Sequence, residues 1–222
     1  MCAINPVKGI KRPKRKRPED KWLQSAEWAR FKAVSLDPRC EIIRLLPCDT
    51  GVRVSELCDL TWGALNFEHG HWFLSTRVKG DHHANLPLSP DVAKKLDEWC
   101  ITCLRPRPTE PILRAANGKK LKRGQLSYIT RKIARRAGIV RFAVAPHVIR
   151  HTLNVIRRQA HIDPTLRSAL LAHTSPASLI SYEHTSPEEL IAARAQQRQG
   201  EADYLKNVKS LWQLPEGGST KS

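Results

Sequence analysis

Apolar residues along this chain fall mostly at helical spacing, and one central stretch alternates instead. Trp28, Phe31 and Val34 repeat every three residues, with Ser25 as the capping hydroxyl of a first helix. Ile42, Ile43, Leu45 and Leu46 mark a second helix over about 38–48, which Thr50 and Gly51 break. A third opens at Arg53 and runs to Leu60, placing Val54, Leu57 and Cys58 on one side. Residues 63–67, 72–78 and 84–88 then read as three short strands, parted by turns at 68–70 and 79–80. Ser89-Pro90-Asp91 is a helix start, with a capping hydroxyl, a proline at the first position and an acid in the first turn. The helix it opens carries Val92, Leu96, Trp99 and Cys103. A proline-rich loop at 105–111, a short extended piece at 112–115 and a basic helix at about 124–137 follow. Residues 187–208 are helix-prone, with Gly200 a weak point, and are expected to pack in cis or on a neighbouring subunit. The fold class expected is mixed α+β, mainly α-helical with a small three-stranded antiparallel sheet.

Charge changes the picture most. The 222 residues suffice for one good-sized domain with appendages, and 41% of them are apolar. The net charge is +17 and the pI near 10.1, which favours a polyanionic partner. Nucleic acid leads, and an anionic membrane is second. Residues 111–162 contain thirteen Lys and Arg and no Asp or Glu, which favours a DNA-facing surface over charge that serves solubility alone. Six further basic residues lie between Lys11 and Arg17, among prolines that oppose helix; they form a solvated linker or an arm that tracks phosphates. No apolar run approaches the ~20 residues needed to span a bilayer, and no signal-peptide core is present, so a cytoplasmic, nucleoid-associated address is expected. The expected division is a basic arm at 1–20, a catalytic domain at 21–210 and a flexible tail at 211–222. The six cysteines lack framework spacing and are expected as reduced, mostly buried thiols, with metal or redox chemistry at Cys100 and Cys103 the minor alternative.

Chemistry concentrates between Pro146 and His184, which hold Arg150, four histidines besides His161, and Tyr182, one of only three tyrosines. Cutting DNA without a metal requires clamping the phosphodiester's charge, aiming a nucleophile in line and protonating the leaving oxygen. Guanidinium forks suit the first task because they stay charged and match phosphate oxygens. A tyrosine can attack, but with a pKa near 10 only about 0.1% is ionised at pH 7, so neighbouring cations must help. Histidine and lysine trade protons near neutrality. No H-E-x-x-H, P-loop, G-x-G-x-x-G or acid cluster for two metals is present, and no cofactor is called for. Taken singly, Arg53 could simply pair with Glu56, Lys79 be an ordinary turn lysine, and Tyr182 a core aromatic.

These motifs, in their order, resemble the catalytic domain of the tyrosine recombinases, the phage-integrase family. Thr50-Gly51-Val52-Arg53-Val54-Ser55-Glu56-Leu57 is similar to the family's first arginine box, and His147-Val148-Ile149-Arg150-His151 to its H-x-x-R-H box. Leu171-Ala172-His173 stands for L-G-H, and Tyr182 follows His173 by nine residues, the family's usual interval. Lys79-Gly80 leading to Pro87-Leu88 is similar to the β-hairpin lysine pattern. The resemblance implies the tyrosine recombinase catalytic-domain fold and a 3′-phosphotyrosine intermediate in a DNA-bound homotetramer. By it, Arg53 and Arg150 clamp the scissile phosphate, Tyr182 attacks and Lys79 protonates the 5′-oxygen. His147 and His173 position and shuttle protons, and Glu56 supports. His151 is expected to be structural.

Four departures carry expectations of their own. Ala172 replaces a glycine, which compromises a close backbone approach; Asn85 stands where a basic residue is common. Arg157 and Arg158 occupy usually apolar positions, and are expected to loosen packing or face DNA. The family's helical N-terminal domain has no counterpart here beyond NPVKGIKRPK, which resembles its end and linker; a fragment, or a product lacking that half of the clamp, is implied. The expected function is a site-specific recombinase acting on double-stranded DNA. The alternatives are a truncated DNA-binding relic or regulator, and a type IB-like topoisomerase.

Overall fold

The computed structural model describes residues 21–77, 83–172 and 185–211. Helix α1 (Ser25–Ala33) begins at the expected cap itself: Gln24 is the cap, and its N–H donates to the Glu27 carboxylate at 2.9 Å, so Ser25 is already helical. Asp37 accepts the Cys40 N–H at 3.0 Å and Pro38 occupies the first turn of α2 (Pro38–Thr50). Gly51 ends α2 in the left-handed region, φ +72°, and donates its N–H to the Pro47 carbonyl. Helix α3 (Val54–Asp59) follows, then a 3-10 turn at Trp62–Ala64.

Strands β1 (Leu65–Glu68), β2 (His71–Arg77) and β3 (His83–Pro87) form an antiparallel sheet in that order, with Leu65 opposite Leu74 and Leu74 opposite Leu86. The first strand starts later than the alternation suggested, because residues 62–64 are coiled into the 3-10 turn. Helices α4 (Pro90–Thr102), α5 (Arg123–Arg136), α6 (Pro146–Gln159), α7 (Pro164–Leu170) and α8 (Pro187–Leu211) complete the described elements. Ser89 precedes α4, yet its hydroxyl makes no capping bond. Its backbone N–H is instead taken by Asp49 at 3.1 Å. The piece at 112–115 pairs only through bridges at Thr61 with Pro111 and Arg114 with Lys120.

Two apolar cores share α2 and α5. One gathers Ile42, Leu46, Leu57, Leu74, Leu86, Trp99 and Leu126; the other gathers Trp28, Phe31, Ile133, Val148, Ile149, Leu153 and Ile156. Burying a side chain of this size contributes ~1.5–3 kcal/mol, so α6, apolar along one whole face, is anchored far more firmly than an exposed helix.

Helix α8 packs in cis, across α1, α6, α7 and β3. Glu201 accepts from Trp28 Nε1 at 2.6 Å and from Lys32 Nζ at 2.7 Å, and the Tyr204 hydroxyl donates to the Leu23 carbonyl at 2.8 Å. Gly200 does not weaken it. A Cβ there would lie 2.3 Å from the Ala160 Cβ, so glycine is what lets α8 lie against the end of α6.

Candidate active site between helices α3 and α6

Two chain reversals, after α2 and after α7, present successive backbone carbonyls to α6. Arg150, on the first turns of α6, spans both: Nη1 donates to the Gly51 carbonyl at 2.5 Å and Nη2 to the Leu171 carbonyl at 2.6 Å. Arg53, just ahead of α3, donates from Nη1 to the next carbonyl, Ala172, at 3.0 Å and to Glu56 Oε1 at 2.9 Å. The other Glu56 oxygen accepts the Arg53 backbone N–H at 3.0 Å. Glu56 therefore fixes both the helix start and the arginine side chain. Arginines 97 positions apart in sequence thus rest on adjacent carbonyls, 171 and 172.

Burial, reinforced by the like charge of Arg53, pulls the Arg150 guanidinium down to about 10, and Glu56 opposes the shift. Two half-buried cations offset by one carboxylate leave a net positive site. An anion with several oxygens fits it, because each guanidinium carries five donors in a fork.

His147 lies one turn before Arg150, in the first turn of α6, and is exposed. His151 meets the Trp22 ring edge-on, centroids 6.1 Å apart, in keeping with a structural role. The sequence-predicted Lys79, His173 and Tyr182 lie outside the described residues, as does His184. Ala172 immediately precedes His173, and β2 and β3 flank residues 78–82. Of the other tyrosines, Tyr128 is exposed on α5. Tyr204 is bonded to Leu23, and burial pushes its hydroxyl up to about 12.

Two sequence expectations are corrected. Ala172 does not prevent the close approach: it adopts φ +47°, is buried against Ala84, and still offers its carbonyl to Arg53. Arg157 neither loosens the packing nor faces outward. It is wholly buried and donates to Gln197 Oε1 at 2.7 Å and to the Leu170 and Thr50 carbonyls at 3.2 Å each. Arg158 beside it is exposed. Arg194 on α8 joins the same network, donating to Asp49, to Gln197 at 2.9 Å and to the Pro87 carbonyl at 2.9 Å. Sequence reading missed Asp49, Arg194 and Gln197; the one available signal was Arg157 standing seven residues, two helical turns, after Arg150.

Most cations of residues 111–162 lie on the surface, whereas Arg114, Arg150 and Arg157 turn inward. Cys48 and Cys58 are buried, burial pushing Cys48 up to about 12, while Cys100 and Cys103 are half-buried free thiols. Among the described residues no cluster of His, Cys, Asp or Glu suits a metal ion.

The model of the phage integrase family matches residues 27–189. Tyrosine recombinase XerC of Xylella fastidiosa is 26% identical over 186 residues, covering 82% of this chain and 62% of its own length. Tyrosine recombinase XerA of Pyrococcus furiosus is 32% identical over 158 residues, covering 68% of this chain and 52% of its own. The chain thus spans about half to two thirds of these relatives. Among solved structures, the integrase of mycobacterium phage Brujita superposes with a TM-score of 0.68 at 21% identity, over 87% of this chain and 63% of that one. XerA recombinase gives 0.61 at 24%, over 84% and 67%.

Proposed function

The chain belongs to the phage integrase family, and from that premise we propose that it is a site-specific recombinase domain that cuts and rejoins double-stranded DNA through a 3′-phosphotyrosine. The observation that carries this reading is the pair Arg53 and Arg150, held side by side on the carbonyls of Ala172 and Leu171. Both sit where the chain is about to enter His173.

A scissile phosphate seated on the two guanidiniums has its charge offset as the phosphorus becomes five-coordinate, the moment at which fixed cations contribute most. Tyr182 is the nucleophile, attacking in line and expelling the 5′-oxygen, which Lys79 protonates. His147 and His173 hold the phosphate and carry protons. The phosphotyrosine keeps the energy of the broken phosphodiester, so a 5′-hydroxyl attacks it to reseal the strand without a nucleotide cofactor.

Double-stranded DNA as partner is supported by the +17 net charge and by similar chains solved on DNA, XerH on its difH substrate and a lambda integrase dimer on a COC′ core site. We extend this to a tetramer on DNA, with residues 21–210 as the catalytic domain, residues 1–20 as a phosphate-tracking arm and a nucleoid address. No helix among the described residues is long and apolar enough to cross a membrane.

The test is incubation with nicked suicide substrates carrying sites selected from a random library by binding, read on a denaturing gel. A covalent protein–DNA adduct formed equally with and without chelator is expected. Binding without any adduct would leave a DNA-binding relic and overturn the enzymatic reading.

A further inference from the structure

Arg150 and Arg157 stand two turns apart on one side of α6 and do the same thing at successive rungs. Arg150 bridges the carbonyls of residues 51 and 171; Arg157 bridges those of residues 50 and 170. The turn after α2 and the end of α7 are thus joined by two parallel guanidinium rungs, the upper at the proposed phosphate site and the lower in the core. Gly51 lies between them: a Cβ added there would meet Leu171 Cδ2 at 3.1 Å and Leu153 Cδ1 at 3.3 Å, and would lie 3.8 Å from Arg157 Nη1. The seat of Arg150 is therefore a close-packed backbone junction, with Arg157 directly behind it.

An arginine is a costly way to fill a core. Among the described residues no carboxylate bonds Arg157 directly; it is held by Gln197, which also accepts from Arg194, which in turn pairs with Asp49 at 3.3 Å. The network buries two guanidiniums against one carboxylate, and burial together with the Arg194 charge pushes Arg157 well below its ordinary value. A leucine would avoid that desolvation. What a leucine would not do is fix the spacing of residues 50 and 170, on which the carbonyls holding Arg150 depend.

We propose that Arg157 is a positioning residue for the phosphodiester chemistry, setting through the backbone at residues 50–51 and 170–171 the angle at which Arg150 meets the phosphate, and that Gln197 of α8 holds Arg157 in that role. The proposal rests on the recombinase reading. It adds that the placement of the C-terminal helix is transmitted to the phosphate site along Gln197, Arg157 and Arg150.

Single-turnover adduct formation at saturating DNA separates this from a role in folding, measured beside DNA Kd and the folded fraction by circular dichroism. Arg157→Met is expected to slow adduct formation about 10²-fold, the size of effect a displacement near 1 Å brings, while Kd changes less than about threefold. Arg157→Lys, which keeps the charge and can still reach some of the carbonyls, is expected to recover part of the rate. Gln197→Leu, which leaves Arg157 in place without its anchor, is expected to lose rate in the same direction, and carries the test if Arg157→Met does not fold. Folded variants that cleave at the wild-type rate overturn the proposal, as do rate losses that merely follow the folded fraction. Wild-type protein that binds DNA and forms no adduct overturns the recombinase reading, and this proposal with it.

Discussion

Arg150 and Ala172 show how a single side chain is used at this site. Arg150 is held by two carbonyls before any substrate arrives, so its orientation is fixed in advance. Arg150→Ala should lower adduct formation by about 10²–10³-fold or more, the loss seen when one transition-state donor is removed, with folding retained. Arg150→Lys should rescue little, since an ammonium cannot fork two oxygens. A near wild-type cleavage rate in Arg150→Ala would place the phosphate elsewhere. Ala172 carries a left-handed backbone, φ +47°, which costs an alanine about 1–2 kcal/mol. The methyl regains part of that by burial against Ala84. Ala172→Gly is therefore expected to raise the midpoint of thermal unfolding by a few degrees, for a net gain of up to ~1 kcal/mol. A lower midpoint would mean that the methyl contact outweighs the backbone strain.

At the scale of elements, helix α8 makes the sharpest test of the packing. In an isolated helix Gly→Ala gains ~1 kcal/mol. Here the new Cβ would fall 2.3 Å from that of Ala160, so Gly200→Ala should destabilise the protein by ~1–3 kcal/mol in denaturant melts. Ala160→Gly in the same chain should restore most of the loss. If Gly200→Ala stabilised the protein, the close approach of α8 to α6 would be wrong. The same residue marks the limit of what the sequence alone could tell. Its helix-weakening composition was legible, but its partner forty residues earlier was not, because no local pattern records a tertiary contact. Periodicity revealed α2, α3, α4, the three strands and α5 to within a few residues, since each buries one face. Ser25 was misread by one position, since Gln24 caps α1, whereas Ser89 stands at the cap of α4 with Pro90 and Asp91 behind it as expected, although its hydroxyl makes no capping bond. Arg53, Glu56 and Arg150 were legible as spaced motifs. The buried network beneath them was not, because Asp49, Arg194 and Gln197 look like surface residues until the fold closes over them.

The whole chain is strongly basic, with a net charge of +17, and the DNA binding proposed for it should show that charge. Neutralising each phosphate contributes a log–log salt slope of about −0.9, so deleting residues 1–20 should flatten the slope by several units if that arm tracks the backbone, as fluorescence anisotropy at graded salt would read. An unchanged slope would reduce the arm to a linker. Cleavage, in contrast, should depend on one hydroxyl. Tyr204 is occupied with the Leu23 carbonyl and its hydroxyl is pushed up to about 12, and Tyr128 lies exposed on α5. The decisive measurement is peptide mapping of the covalent adduct trapped on a suicide substrate, with Tyr182→Phe run in parallel. The phosphate should be found on Tyr182, and the Phe variant should fold, bind DNA and form no adduct. Phosphate on Tyr128, on Tyr204 or on any other side chain, or an undiminished adduct from Tyr182→Phe, would contradict the mechanism.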